Sequence, residues 1–124
     1  MKQSVRIAPP NSLFFLEDPA GGKSPEVEVD TRPVRIWSTR SCIIVACLCF
    51  VDGETELVAS TSAADAPSAP VAFEGILDTP TGTVEVSTSE REVLLRCEVG
   101  THFTRVRVWT DHPTEPEHIQ VVFG

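Results

Sequence analysis

The chain repeats one short pattern, Val34-Arg35-Ile36-Trp37-Ser38 and Val106-Arg107-Val108-Trp109-Thr110, and it holds the residues best suited to recognition. On a strand, alternate side chains share a face, so Arg35 joins Trp37 and Arg107 joins Trp109. A guanidinium lying along an indole is worth about 0.5–1 kcal/mol at an exposed site. Trp and Arg are also the residues most enriched where protein partners bind tightly. The competing reading is that both indoles fill a second layer of the fold, with the arginine stems covering them. A second constellation, Asp111-His112-Pro113-Thr114-Glu115-Pro116-Glu117-His118, gathers imidazoles and carboxylates of the kind that ligate a divalent metal or act as general acid and base. His112, Glu115 and His118 are its candidate ligands. Their spacing matches no zinc pattern, and the two prolines suit a rigid hairpin connection equally well. Cys47 and Cys49 share a strand face and, with Cys97 or His102, offer a soft-metal set. Their neighbours Ile43, Val45 and Leu48 point instead to buried thiols acting as small apolar side chains.

These residues sit in a chain of 124 residues with 10 Lys+Arg against 18 Asp+Glu and a net charge of −8. Affinity for nucleic acid comes largely from clustered cations, so a nucleic-acid partner is excluded on charge. The asymmetry is internal as well. No Lys or Arg occurs from Ser41 through Glu90, where Asp52, Glu54, Glu56, Asp65, Glu74, Asp78, Glu85 and Glu90 all fall. Either the flanking arginines fold against this tract, or the molecule carries faces of opposite sign. No phosphate loop, nucleophile elbow or calcium loop is present, which argues against an enzyme and implies no cofactor. The first residues lack a secretory apolar run. The apolar stretch Cys42–Val51 is about half of the roughly 20 residues a membrane helix needs. The expectation is a cytoplasmic protein, away from membranes, with reduced cysteines.

The elements that must position these residues are strands. Apolar residues alternate with polar ones over 26–30, 34–37, 84–87 and 105–109. Further strands are expected at 4–7, 12–17, 71–78, 92–99 and 117–123. Cys42–Val51 is apolar at both parities, as a strand covered on both faces is, and its place is the middle of a sheet. Asp52-Gly53 then reads as a type I′ turn, returning Glu54–Val58 antiparallel as a hairpin. About 8–10 short strands with no helix predict an all-β fold, a two-layer antiparallel β-sandwich forming one domain over 1–124. The low-bulk segment 60–70 is expected to be a mobile crossing loop.

With the strands laid out, the chain resembles the competence protein J family, bacterial proteins whose founding member inhibits a DNA-entry nuclease. Pro70-Val71-Ala72-Phe73-Glu74-Gly75-Ile76 resembles the family's Val-Pro-Phe strand, and Gly82-Thr83-Val84-Glu85-Val86-Ser87-Thr88 its glycine-led next strand. Glu98-Val99-Gly100-Thr101-His102-Phe103 is similar to its Gly-x-Tyr turn, and Ser4–Ile7 followed by Leu13–Leu16 to its opening. The family's Trp and Gln-Gly-Phe-Ala segment has no counterpart here. The resemblance implies a non-enzymatic inhibitor or immunity-type protein. Its charge fits, since an acidic surface competes with phosphate for a basic active site. The expected contacts with a basic protein partner, a nuclease or toxin, are Asp52, Glu54 and Glu56 together with the Arg35/Trp37 and Arg107/Trp109 pairs. The alternatives are a metal-binding or enzymatic module using the His112/His118 loop, and a structural sandwich that forms a homodimer through its tryptophans.

Overall fold

In the computed structural model, described for residues 1–27 and 34–124, ten strands form two five-stranded sheets. They are β1 (Lys2–Ile7), β2 (Leu13–Glu17), β3 (Ile36–Ser38), β4 (Ile43–Ala46), β5 (Thr55–Ser60), β6 (Phe73–Asp78), β7 (Thr83–Ser87), β8 (Val93–Glu98), β9 (Phe103–Thr110) and β10 (His118–Phe123). The first sheet runs β1-β5-β10-β9-β6 and the second β3-β4-β2-β7-β8. All pairings are antiparallel except β10 with β5, which run parallel. The alternation in the sequence becomes the sandwich's interior. Leu57, Ala59, Leu77, Val106, Val108, Ile119 and Val121 of the first sheet meet Phe14, Leu16, Ile43, Val45, Val84 and Val86 of the second in one buried cluster. Two short 3₁₀ turns, Pro10–Ser12 and Ala63–Asp65, are the helical content among the described residues, and no helix there is long and apolar enough to cross a membrane.

The double-faced burial read in the segment after Cys42 is real but short. In β4 all residues are buried: Ile43 and Val45 face the core, while Ile44 and Ala46 join Trp37 and Cys42 in a second apolar cluster on the sheet's outer side. After Ala46 the chain leaves the sheet, with the Cys47 amide donating to Ser12 and the Leu48 amide to Pro116. The expected hairpin does not form. Strand β5 belongs to the other sheet, pairing with β1 and β10, and 47–54 is a crossing between layers. Gly53 takes a positive φ of 143° but Asp52 does not, so the turn is not type I′; it closes instead by the Asp52 amide donating to the Cys49 carbonyl at 2.8 Å. Apolar residues at both parities fit a covered strand and a sheet-to-sheet crossing alike, and only long-range pairing separates the two.

Of the strand expected over 26–30, residues 28–30 lie outside the described residues, and Glu26 and Val27 are not in a strand. The 61–72 connection passes over the outer side of the first sheet. There the Ala69 carbonyl accepts from Trp109 Nε1 at 2.9 Å, and the Asp65 carbonyl from Gln120 Nε2 at 2.9 Å.

Candidate protein-binding surface

Strand register sorts the loops into two ends. Ile7 pairs with Thr55, Leu13 with Ala46, Phe15 with Ser87, and Thr110 with Ile119. The connections 8–12, 47–54, 88–92 and 111–117 therefore emerge at one end of the sandwich. Hydrogen bonds lock them side by side. Pro116 O accepts from the Leu48 amide, Ser12 Oγ from the Phe50 amide at 3.0 Å, and Ser89 Oγ from Asn11 Nδ2 at 2.8 Å.

This end collects Asp52, Glu54, Glu90, Glu92, Asp111, Glu115 and Glu117, all exposed, against Arg91 as the sole Lys or Arg of these loops. None of the seven carboxylates is in an ion pair among the described residues. The strand carboxylates of the acidic tract behave differently, because folding lays the flanking arginines against them. Glu56 meets Arg6 at 3.7 Å, Asp78 meets Arg40 at 2.9 Å, Glu85 meets Arg96 at 2.6 Å and Glu74 meets Arg105 at 2.9 Å. Such pairs add only about 0–1 kcal/mol each to stability. Their larger consequence is to neutralise the tract's strand carboxylates and leave uncompensated negative charge on the loops at one end. Beside the 8–12 and 111–117 loops, which the Phe50 and Leu48 amides bond, Phe50 is 52% exposed and Val51 73% exposed, an apolar tip among acidic loops.

The sequence-derived candidates divide accordingly. Asp52 and Glu54 sit on this surface. Glu56 does not present a free charge: on β5 it contacts both Arg6 and His118 Nδ1, the latter at 2.9 Å. Each tryptophan does stack with its arginine, Arg35 lying 5.9 Å from the Trp37 ring centre and Arg107 5.6 Å from that of Trp109. The two pairs do not make one patch, since β3 and β9 belong to different sheets and both indoles face outward from the shared core. Nor are the rings displayed, with Trp37 at 1% and Trp109 at 7% exposure within the single chain. Trp109 is roofed by the 61–72 connection, and Trp37 packs on Ile44 and Cys42 with its Nε1 unbonded among the described residues.

The histidine-rich loop is organised by its own backbone. His112 Nδ1 accepts from the amides of Thr114 and Glu115 at 3.2 and 3.0 Å, and Asp111 Oδ1 accepts from those of Glu117 and His118. His118 turns to Glu56 on the neighbouring strand. His112, Glu115 and His118 are thus not brought together, and no group of three His, Cys, Asp or Glu among the described residues is placed to hold a metal. The cysteines are free thiols; Cys42, Cys47 and Cys97 are buried, while Cys49, expected to be buried beside Cys47, is only partly so because it lies in the crossing beyond β4. Burial, reinforced by the Glu17 carboxylate, pushes Cys42 up to about 12, and burial likewise raises Cys47 and Cys97, so these three stay protonated and unreactive near neutrality.

No family model matches the chain, and no curated protein matches it. Among solved structures, the crystal structure of ComJ, inhibitor of the DNA degrading activity of NucA, from Bacillus subtilis, aligns with a TM-score of 0.61. The match covers 100% of this chain and 96% of that one, at 11% sequence identity. The chain has the ComJ fold. The resemblance read from scattered strand motifs thus extends, as fold, along the full length, including the sandwich architecture that periodicity predicted.

Phe50, Val51 and Glu92 are the surface residues that the sequence does not single out, while Glu90, Asp111 and Glu117 stand out in it only as part of an acidic tract or a histidine-rich segment. Phe50 and Val51 were absorbed into an apolar run whose interior half is core, and nothing local marks where such a run surfaces. The loop carboxylates lie far apart in sequence, and strand order alone makes them neighbours.

Proposed function

We propose that this chain is a non-enzymatic inhibitor that binds a basic protein, a nuclease or an antibacterial toxin, through its acidic end. The observation that carries the reading is the separation of charge: the strand carboxylates of the 41–90 tract are matched by arginines, while the loop carboxylates flanking Phe50 and Val51 are not. Unmatched charge of one sign speeds encounter with a partner of the other sign, and a desolvated apolar tip slows its departure. The fold supports the same reading, since ComJ, whose architecture the chain shares, is an inhibitor of a DNA-degrading protein. Trp37 and Trp109 act in this reading as covers of the outer faces, and Asp52 and Glu54 as rim contacts.

The test is capture from host lysate on immobilised protein at low and moderate salt, followed by a DNA-degradation assay on whatever is retained. A basic nuclease should be retained, released by salt and inhibited by the wild type. The double variant Phe50→Ser, Glu54→Lys should weaken inhibition at least tenfold, the cost of losing roughly 1.4 kcal/mol or more at the contact. A partner bound equally well by that variant would sink the assignment of the acidic end.

A further inference from the structure

Among the described residues, three that are not glycine take a left-handed φ: Asn11 at 58°, Ser12 at 59° and Arg91 at 65°. All three lie in loops of the acidic end, two side by side in 8–12 and one in 88–92. Residues with a Cβ rarely adopt this conformation, and where they do the surrounding contacts must hold them in it. Asn11 has a local reason. The Ser12 amide donates to the Pro9 carbonyl at 2.9 Å, closing a turn with Pro10 and Asn11 at its centre, the residues such a turn favours when its second central position is left-handed. Ser12 has none, since it follows that turn, and glycine would take the same conformation without the Cβ clash.

What holds Ser12 in place is the neighbouring crossing. Its carbonyl accepts from the Cys47 amide and its Oγ from the Phe50 amide, both at 3.0 Å, so the stretch that leads to the exposed Phe50 and Val51 is tied at both ends. Asn11 holds the other side. Its Nδ2 donates to Ser89 Oγ at 2.8 Å, and that hydroxyl donates in turn to the Pro10 carbonyl at 3.3 Å. Next to Ser89, Thr88 Oγ1 accepts from the amides of Glu90 and Glu92, both at 3.3 Å, so the turn carrying these two carboxylates is anchored to Asn11. Glycine at position 12 would remove the strain and with it the hydroxyl; serine keeps the hydroxyl and bears the strain. An exposed apolar tip has little packing of its own to order it, and a tip ordered beforehand loses less freedom when it binds. We propose that Ser12 and Asn11 are positioning residues of the acidic end, Ser12 fixing the Phe50–Val51 tip and Asn11 the Glu90/Glu92 turn in the arrangement a partner meets. This role rests on the reading of that end as the contact surface.

The test compares Ser12→Gly, which removes both hydroxyl and strain, with Ser12→Ala, which removes the hydroxyl and keeps the strain. Three quantities are read on each: backbone relaxation of isotopically labelled protein, melting temperature, and inhibition of the DNA-degrading activity of host lysate. In the wild type Phe50 and Val51 should have order parameters near the rigid value of about 0.85, falling below about 0.6 in both variants. Inhibition should weaken at least about fivefold in both, because a mobile tip is competent to bind for only part of the time. Melting temperature should separate them, with Ser12→Gly near the wild type and Ser12→Ala lower by a few degrees. Asn11→Gly should loosen 89–92 and leave the tip ordered. A merely structural Ser12 gives a different pattern, inhibition following melting temperature and Ser12→Gly behaving as the wild type. That pattern overturns the role, as does a tip that stays ordered in Ser12→Gly or is already mobile in the wild type. Wild-type protein that slows no DNA degradation overturns the inhibitor reading, and this role with it; a wild type that inhibits beside a Ser12→Gly variant that inhibits equally overturns the role alone.

Discussion

Asp18 shows how far a single residue escapes a local reading. The sequence places it before Pro19-Ala20-Gly21-Gly22, an ordinary turn opening, yet the structure buries it as the tie between this turn and the one joining β6 to β7. Its carboxylate accepts from the Ala20 amide at 2.7 Å and from the Thr81 amide and hydroxyl at 2.9 and 2.8 Å. Burial alone would raise its pKa, but these hydrogen bonds outweigh burial and hold it below the usual carboxylate value. A depressed folded pKa means that the stabilisation is complete above the unfolded value of about 3.9 and drains away as pH falls through the folded one. Asp18→Asn should therefore cost roughly 2 kcal/mol in urea unfolding at pH 7. Its deficit relative to wild type should shrink at acid pH; a deficit that stays constant with pH would mean that the charge is not what the site uses. Trp37 and Trp109 teach the complementary lesson: alternation correctly paired each with its arginine, but their exposure depended on what lies above each sheet.

At the scale of elements, strand type and approximate position follow from period-two patterning, because each strand buries one face in the same core. Pairing does not, because the partner of a strand is a property of the whole chain. The crossing 47–54 is where this matters most. If β4 and β5 were a hairpin, replacing residues 48–54 by Asn-Gly would tighten it. Since they lie in different sheets, the same replacement removes the chain length needed to cross between layers about 10 Å apart. The shortened protein should lose its dispersed amide spectrum and its cooperative unfolding. A well-folded product would contradict the crossing. Within β4, Ile44→Ala on the outer side should cost about 2–5 kcal/mol, as core truncations do, because Trp37 and Cys42 cover it. A strand with one solvated face would lose far less there, and thermal unfolding separates the two.

At the scale of the molecule, the net charge of −8 is distributed by topology rather than by sequence order. Mutual repulsion among the unpaired carboxylates of one end is a stability cost that a binding role would explain. Glu115→Lys should accordingly raise stability by a few tenths of a kcal/mol, the usual scale of a surface change, while slowing association with a basic partner most at low salt. Denaturant unfolding and stopped-flow association check the two halves, and a gain in both stability and association rate would count against the acidic end as the contact. By itself the sequence determined the class of the fold, the core faces of its strands, the burial of Cys42, Cys47 and Cys97 and the acidity, since these depend on composition and short-range alternation. Only the tertiary structure decided which strands pair, which carboxylates find arginines, which apolar residues of the 42–51 run reach solvent, and that four separate loops form one surface. Those outcomes depend on contacts between residues tens of positions apart, which local patterning does not encode.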